Sequence, residues 1–406
     1  MPYLDLKTKL EPSRAIKNKL LQLGVYSCFV MVFLFMLGIF SATVYQGIGA
    51  FKTTKIYLTI DHVQGRSVRS NLIQALYKEF PSYSLRQEKK QIRKLVSDNA
   101  YYTLKLKPGV HTYAVTASSI VNLYMQGVYK ETQKESMRKI SNFQIALVKQ
   151  LQNEAKLKRA FNTAFFAHAD SRDPSHAGIL GAFVGTLLTL LITIAFAVPL
   201  GVACALWMEE LPPKTNLSRW LHHVLEININ NLEAVPSIVY GLLGLSFLLH
   251  FVGVPRSTPL AGGLTLGLLT LPTIVIVTRT ALRAIPNSIR EASLSLGLSP
   301  IQTILYQVLP CAIPGIVTGS IIGLARSIGE TAPLLMIGMV AFITSVPTGF
   351  TSMATTLPVQ IYLWADSPEL GFYEKTSAAI IITMLLLIVF KVIAAFIRRR
   401  YQIKWQ

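Results

Sequence analysis

The sequence predicts an all-α polytopic membrane protein with an α+β domain inserted between its first two transmembrane helices. Three observations lead there. Of the 406 residues, 51% are hydrophobic and the mean hydropathy is +0.45, too apolar for a soluble chain of this size. Six apolar runs approach or exceed the ~20 residues that cross a hydrocarbon core of ~30 Å. A polar, basic block over residues 52–172 separates the first run from the second.

The elements follow in order. Residues 1–19 carry Lys7, Lys9, Arg14, Lys17 and Lys19 and read as a basic cytoplasmic N-terminus. The run over 20–45 is too long for a signal-peptide core and lacks a convincing cleavage site, so it reads as a retained first helix. An α+β domain is expected over 46–177. Within it Thr54–Ile60 and Tyr101–Lys107 alternate as strands do. Val68–Phe80 and Arg86–Val96 have helical spacing, and Ser119–Ala167 reads as one long helix or two in series. Further spans are expected at 178–208, 228–252, 260–283, 311–330 with an apolar continuation to 344, and 376–397. Pro199, Pro236, Pro272 and Pro333 should kink them.

Six spans put both termini on one side. The tail 398–406, with Arg398, Arg399, Arg400 and Lys404, is as basic as the start, which makes that side cytoplasmic. Lys214, Arg219, Arg283 and Arg290 then fall inside, whereas the outer loops hold only Arg256 and Lys375. The basic block lies outside without contradiction, because long translocated domains escape the charge rule. The net charge of +19 therefore reflects this placement, and no nucleic-acid motif accompanies it. Cys28, Cys204 and Cys311 all lie in or beside apolar runs and read as small packing residues.

Between two spans, residues 286–310 read as two short helices folded back to back. Ser288 with Glu291, and Ser299 with Gln302, are capping-box patterns. Pro300 suits a first helical position. Gly297 falls where the chain must reverse, a place that favours positive φ. Such a hairpin suits docking on a soluble partner.

Charges inside the membrane carry the rest. Arg326 and Glu330 lie in the fifth span at i,i+4, on one face and able to pair. A charge at mid-bilayer costs roughly 2.5–3.5 kcal/mol on insertion scales, so the pair should face protein or water. Gly315, Gly319 and Gly323 form a small-residue stripe that lets a neighbouring helix approach, on roughly the same face. Glu233, early in the third span, is another buried-looking carboxylate. These three charged residues, Arg326, Glu330 and Glu233, are the candidates for an anion path. No Gly-x-x-x-x-Gly-Lys-Ser/Thr loop is present, so the chain is not expected to bind ATP in that way. The stretch from His168 through Asp170 and Asp173 to His176 reads as a solvated linker in preference to a metal site.

Glu291-Ala-Ser-x-x-x-Gly297, followed by Leu309-Pro310 and Pro314-Gly315, resembles the cytoplasmic EAA signature of ABC-importer permeases, with Ser293 in place of the usual second alanine. The resemblance implies a six-helix type I importer permease fold. It also implies a coupling role on an ATPase for Arg290, Glu291, Ala292, Ser293, Gly297, Leu298 and Ser299. Asn231–Gly241, Ala325–Leu335, Thr355–Pro368 and Glu374–Ser377 further resemble phosphate-uptake permeases of the PstA type, over most of residues 178–406 and the first span. Glu233 departs from that pattern, where a small residue is expected, and the inserted block enlarges its first external loop. The partners implied are a second permease of the PstC type and two ATPase subunits of the PstB type. A periplasmic phosphate-binding protein of the PstS type and membrane lipid complete them. ATP and Mg would be held by the ATPases, and the chain itself would be no enzyme and bind no cofactor. Rival readings are an importer of another oxyanion, such as sulfate or molybdate, and a membrane sensor with a large outer domain.

Overall fold

The computed structural model describes residues 12–62, 67–83, 85–211, 213 and 215–401. Lys7, Lys9, Lys214 and Lys404 of the basic flanks lie outside the described residues. Helix α1 (Pro12–Gly47) passes through a 3-10 turn, Ile48–Phe51, into strand β1 (Lys52–His62). There follow α2 (Val68–Glu79), α3 (Arg86–Arg93), α4 (Ala100–Thr103), β2 (Gly109–Thr116), α5 (Ser119–Met125), α6 (Asn142–Asn153), β3 (Leu157–Phe161) and α7 (Thr163–Ala167). The remainder is helical: α8 (Leu180–Glu210), α9 (Asn216–Glu233), α10 (Ser237–Leu243), α11 (Pro259–Arg283), α12 (Asn287–Ser295), α13 (Pro300–Thr303), α14 (Leu309–Ile328), α15 (Ala332–Met336), α16 (Leu357–Ala365) and α17 (Leu370–Tyr401).

The inserted unit is built on an antiparallel sheet of order β2-β1-β3, with Ile56 opposite Val115 and Lys52 opposite Phe161. Strand alternation turns Ile56, Leu58 and Ile60 to one face, where they share a core with Leu72 and Leu76 of α2 and Leu147 and Leu151 of α6. Two expectations change here. Tyr101–Lys107 is not a strand: α4 occupies its start, and the strand begins only at Gly109, whose positive φ of +96° turns the chain into β2. Ser119–Ala167 is not one helix or two in series. Gly127, at φ +82°, ends α5; a Ser141–Gln144 capping box starts α6; and Leu157–Phe161 becomes the edge strand β3. Edge pairing with β1 overrides the helical spacing, a long-range effect absent from local pattern.

Contacts tie this unit to the helix ends beside it. Lys139 pairs with Glu369 at 3.1 Å, and Gln126 Nε2 donates to Glu374 at 2.9 Å and to the Gly49 carbonyl at 3.2 Å. Trp364 Nε1 donates to Asp170 at 2.9 Å, and Ser97 donates to Asp173. The segment read as a solvated linker is therefore a fitted joint.

Among the described residues five helices are long and apolar enough to cross a membrane: the first, α8, α11, the stretch Pro300–Ile328, and α17. A sixth crossing exists only if α9 and the helix after it count as one span, and these meet at 113°. The span expected over 228–252 with a kink at Pro236 is thus corrected to a full break. α9 stops at Glu233, and Pro236 caps α10 with no N–H to continue the ladder, while its ring disfavours helical geometry at Val235. α10 runs on through a π-helical stretch, Gly244–Phe251. The continuation expected from 330 to 344 is likewise no extension of the fifth span, because α14 ends at Ile328 and a separate short helix, α15, follows.

A capped hairpin and an open cationic groove

The hairpin is built as its caps dictate at one end only. Gly297 has φ +87°, and Ser299 forms a reciprocal box with Gln302, accepting from its N–H at 3.4 Å while Gln302 Oε1 accepts from the Ser299 N–H at 2.9 Å. Pro300 takes the first helical turn. The Ser288–Glu291 box does not form: Pro286 is the N-cap of α12, so Ser288 lies inside the helix. Nor is the second helix separate. α13 passes through a π-helical stretch, Ile304–Val308, directly into α14, making one 29-residue rod from Pro300 to Ile328. Widening the turn to i→i+5 just before Pro310 accommodates a residue that lacks an N–H and would crowd the preceding turn of an α-helix.

Arg290 fixes α12 to the bundle. It makes a two-pronged pair with Glu210 at the end of α8 (2.6 and 3.1 Å) and donates to the Leu282 and Ile285 carbonyls at 3.0 and 2.9 Å. Next to it Glu209 accepts from Arg279 Nε at 2.5 Å and from Arg283 at 2.8 Å, and Arg279 also reaches Glu226 at 2.9 Å. Glu210 and Arg279 are 7% and 9% exposed. Charges this buried persist only when paired, since removing one partner strands the other at a cost of ~3–5 kcal/mol. The sequence reading missed Glu209, Glu210, Glu226 and Arg279. Two adjacent carboxylates ending an apolar run were the available signal.

Ser293 is buried, and its hydroxyl donates to the Ile289 carbonyl at 2.7 Å. Glu291, Ala292, Gly297 and Ser299 are exposed, and Leu298 is half-buried. Leu294, Leu296, Ile301, Leu305 and Tyr306 are exposed around the same tip.

Gly315, Gly319 and Gly323 face Ala281, Val277 and Thr273 of α11. A Cβ at Gly319 would stand 1.6 Å from Val277 Cγ1, and one at Gly315 2.6 Å from Ala281 Cβ. The charges do not share this seam. Arg326 lies off it with 59% of its side chain exposed, and Glu330 stands beyond the end of α14, its Oε1 3.7 Å from Arg326 Nε. The pair expected from the i,i+4 spacing is present, but Glu330 enters it from beyond the end of the helix.

Arg326 opens onto a groove of about 660 Å³ between α14 and α17, bordered by Ile322, Leu387 and Lys391. It also lines a crevice of about 10 Å³ with Glu233, Tyr240 and Thr273. Glu233, the last residue of α9, thus comes near Arg326 across the chain break, without an ion pair between them. Tyr240 braces that break by donating to the Leu232 carbonyl at 2.7 Å. Among the described residues no group of three or more His, Cys, Asp or Glu is placed to hold a metal.

Apolar helices of membrane-spanning length joined by a capped hairpin are an architecture that suits a membrane permease. Residues 197–403, just over half of the chain, match the family of binding-protein-dependent transport system inner membrane components, and the chain belongs to that family. It is a family of ABC-importer permeases, not of catalytic subunits, which work with a second permease, ATPases and a binding protein. The chain is 33% identical over 182 residues to the probable ABC transporter permease protein YqgH of Bacillus subtilis (strain 168), a match spanning 44% of this chain and 57% of that protein. It is also 33% identical over 221 residues to the phosphate transport system permease protein PstA 1 of Mycobacterium tuberculosis (strain H37Rv), covering 54% of this chain and 70% of that protein. Among solved structures, an inward-facing MetNI methionine ABC transporter is similar at 19% identity and a TM-score of 0.44, covering 55% of this chain and 95% of the other.

Proposed function

We propose that this chain is the PstA-type half of the translocation path in an ATP-driven importer of inorganic phosphate. A second permease supplies the other half, two ATPase subunits hold ATP and Mg, and a periplasmic phosphate-binding protein delivers the ion. Both termini are cytoplasmic and the inserted α+β unit is periplasmic, an orientation supported by the charge of the short loops. The exposed apolar tip of the hairpin is the surface that seats on the ATPase. Its closure moves α12, which Arg290 ties to α8, and moves the rod that carries Arg326.

The observation that carries this reading is Arg326 standing open to a groove with only a distant carboxylate partner. Counting from Pro310 at ~1.5 Å per residue, Arg326 is about 24 Å along the rod, past the middle of a ~30 Å core. A guanidinium there needs an anion or water. Phosphate oxygens fit its fork of donors, and Glu330 holds it between ions. The similarity to phosphate permeases favours phosphate over other oxyanions.

Arg326→Gln removes the charge and the fork while keeping most of the volume. Phosphate uptake is expected to fall about 30-fold or more, the equivalent of the ~2 kcal/mol of a charge-assisted contact, while the subunits still co-purify. Glu330→Gln should cost less. Wild-type uptake by both variants would place the path on another face.

A further inference from the structure

The groove beside Arg326 holds a second cation that transport by Arg326 alone leaves without a role. Lys391 stands on α17 seven residues before Arg398, about 10 Å further along the helix. Among the described residues no carboxylate lies within ion-pair distance of it. Arg398 itself marks the hairpin end of the bundle, since it lines one pocket with Ala284, Pro314 and Thr318.

An unpaired ammonium at that depth has one usual escape, which is to snorkel to the nearer interface. For Lys391 that interface lies toward the C-terminus of α17, whereas Cα–Cβ bonds tilt toward a helix N-terminus. The Cα–Cβ bond of Lys391 therefore points away from it. α14 runs the other way, starting at the hairpin end, so Arg326 leans back toward the level of Lys391. Two antiparallel helices bring two cations to one groove, flanked there by aliphatic side chains such as Ile322 and Leu387, while Thr318, Arg398 and Arg399 line the rest of it.

We propose that Lys391 and Arg326 form a two-cation oxyanion station between α14 and α17, and that its ligand is free phosphate in transit; this rests on the transport reading above. Free phosphate near neutral pH is a mixture of mono- and dianion, whose charge the fork of Arg326 and the point charge of Lys391 balance. The headgroup of an anionic phospholipid would instead sit level with Arg398 and Arg399, about 10 Å short of the lysine.

The test is phosphate uptake per assembled complex in neutral phosphatidylcholine vesicles, for wild type, Lys391→Leu and Lys391→Arg. Leucine inserts more readily than lysine, so co-purification of the partners should persist. The maximal rate is expected to drop about tenfold in Lys391→Leu and to recover in Lys391→Arg, with the half-saturating phosphate concentration unmoved because the binding protein sets it. Adding phosphatidylglycerol should change neither. Wild-type rates in Lys391→Leu would overturn the station while leaving phosphate import standing. A need for phosphatidylglycerol that disappears in Lys391→Leu would make the groove a lipid seat and overturn it too. A wild-type complex that takes up no phosphate would sink the transport reading itself, and the station with it.

Discussion

At the residue scale the hairpin turns on Gly297. With φ at +87° and no atom within 4 Å of a notional Cβ, the position has room for a side chain but not the backbone conformation for one. Gly297→Val is therefore expected to leave membrane insertion intact and to tilt α12 against the rod. Co-purification with the ATPase and substrate-stimulated hydrolysis should both fall, and normal values for both would remove the hairpin from coupling. This glycine was legible because helix stops are written locally, as were the Ser299–Gln302 box and Pro300. Ser288 was not, because Pro286 outcompetes it as cap. The Glu209–Arg279 and Glu210–Arg290 pairs join residues 70 and 80 positions apart, so no spacing rule could have found them. Glu233, Arg326 and Glu330 were legible as costly charges, yet their surroundings depend on where α9 and α14 end.

At the scale of elements, apolar length identified the five long spans, and it failed where a helix breaks at Pro236 or where an edge strand claims residues with helical spacing. The joint between α7 and α8 shows what linker composition conceals. His176 sits there with Nε2 buried and without a hydrogen-bond partner. Burial holds its pKa below the ordinary histidine value, with His168 and Lys375 adding to the effect and Asp173 opposing it. A depressed value means that the unfolded chain binds the proton first as pH falls. The contribution is present above the usual histidine pKa of about 6.5 and is lost as pH drops through the folded value. Thermal unfolding of wild type should thus weaken more than that of His176→Phe between about pH 7.5 and about pH 5.5. Equal losses in the two proteins would show that the imidazole does not titrate in the joint.

At the scale of the whole molecule, the inserted unit leans on the ends of α1 and α17 through Gln126, Lys139 and the 168–176 joint, and α17 is the span that borders the groove. Cysteines introduced singly at Ser82 and Ser136, both exposed, should react with a membrane-impermeant thiol reagent in intact spheroplasts. Labelling only after the membrane is disrupted would invert the topology. On the proposed function, an ATPase elsewhere drives phosphate through a path half built by this chain. Its most direct test is the full complex in proteoliposomes, with ATP on the hairpin side and the binding protein on the other, given phosphate, sulfate or molybdate in turn. Phosphate alone should be accumulated and stimulate ATP hydrolysis, and Arg326→Gln should abolish the accumulation. Stimulation and uptake by sulfate or molybdate, with phosphate inert, would contradict it.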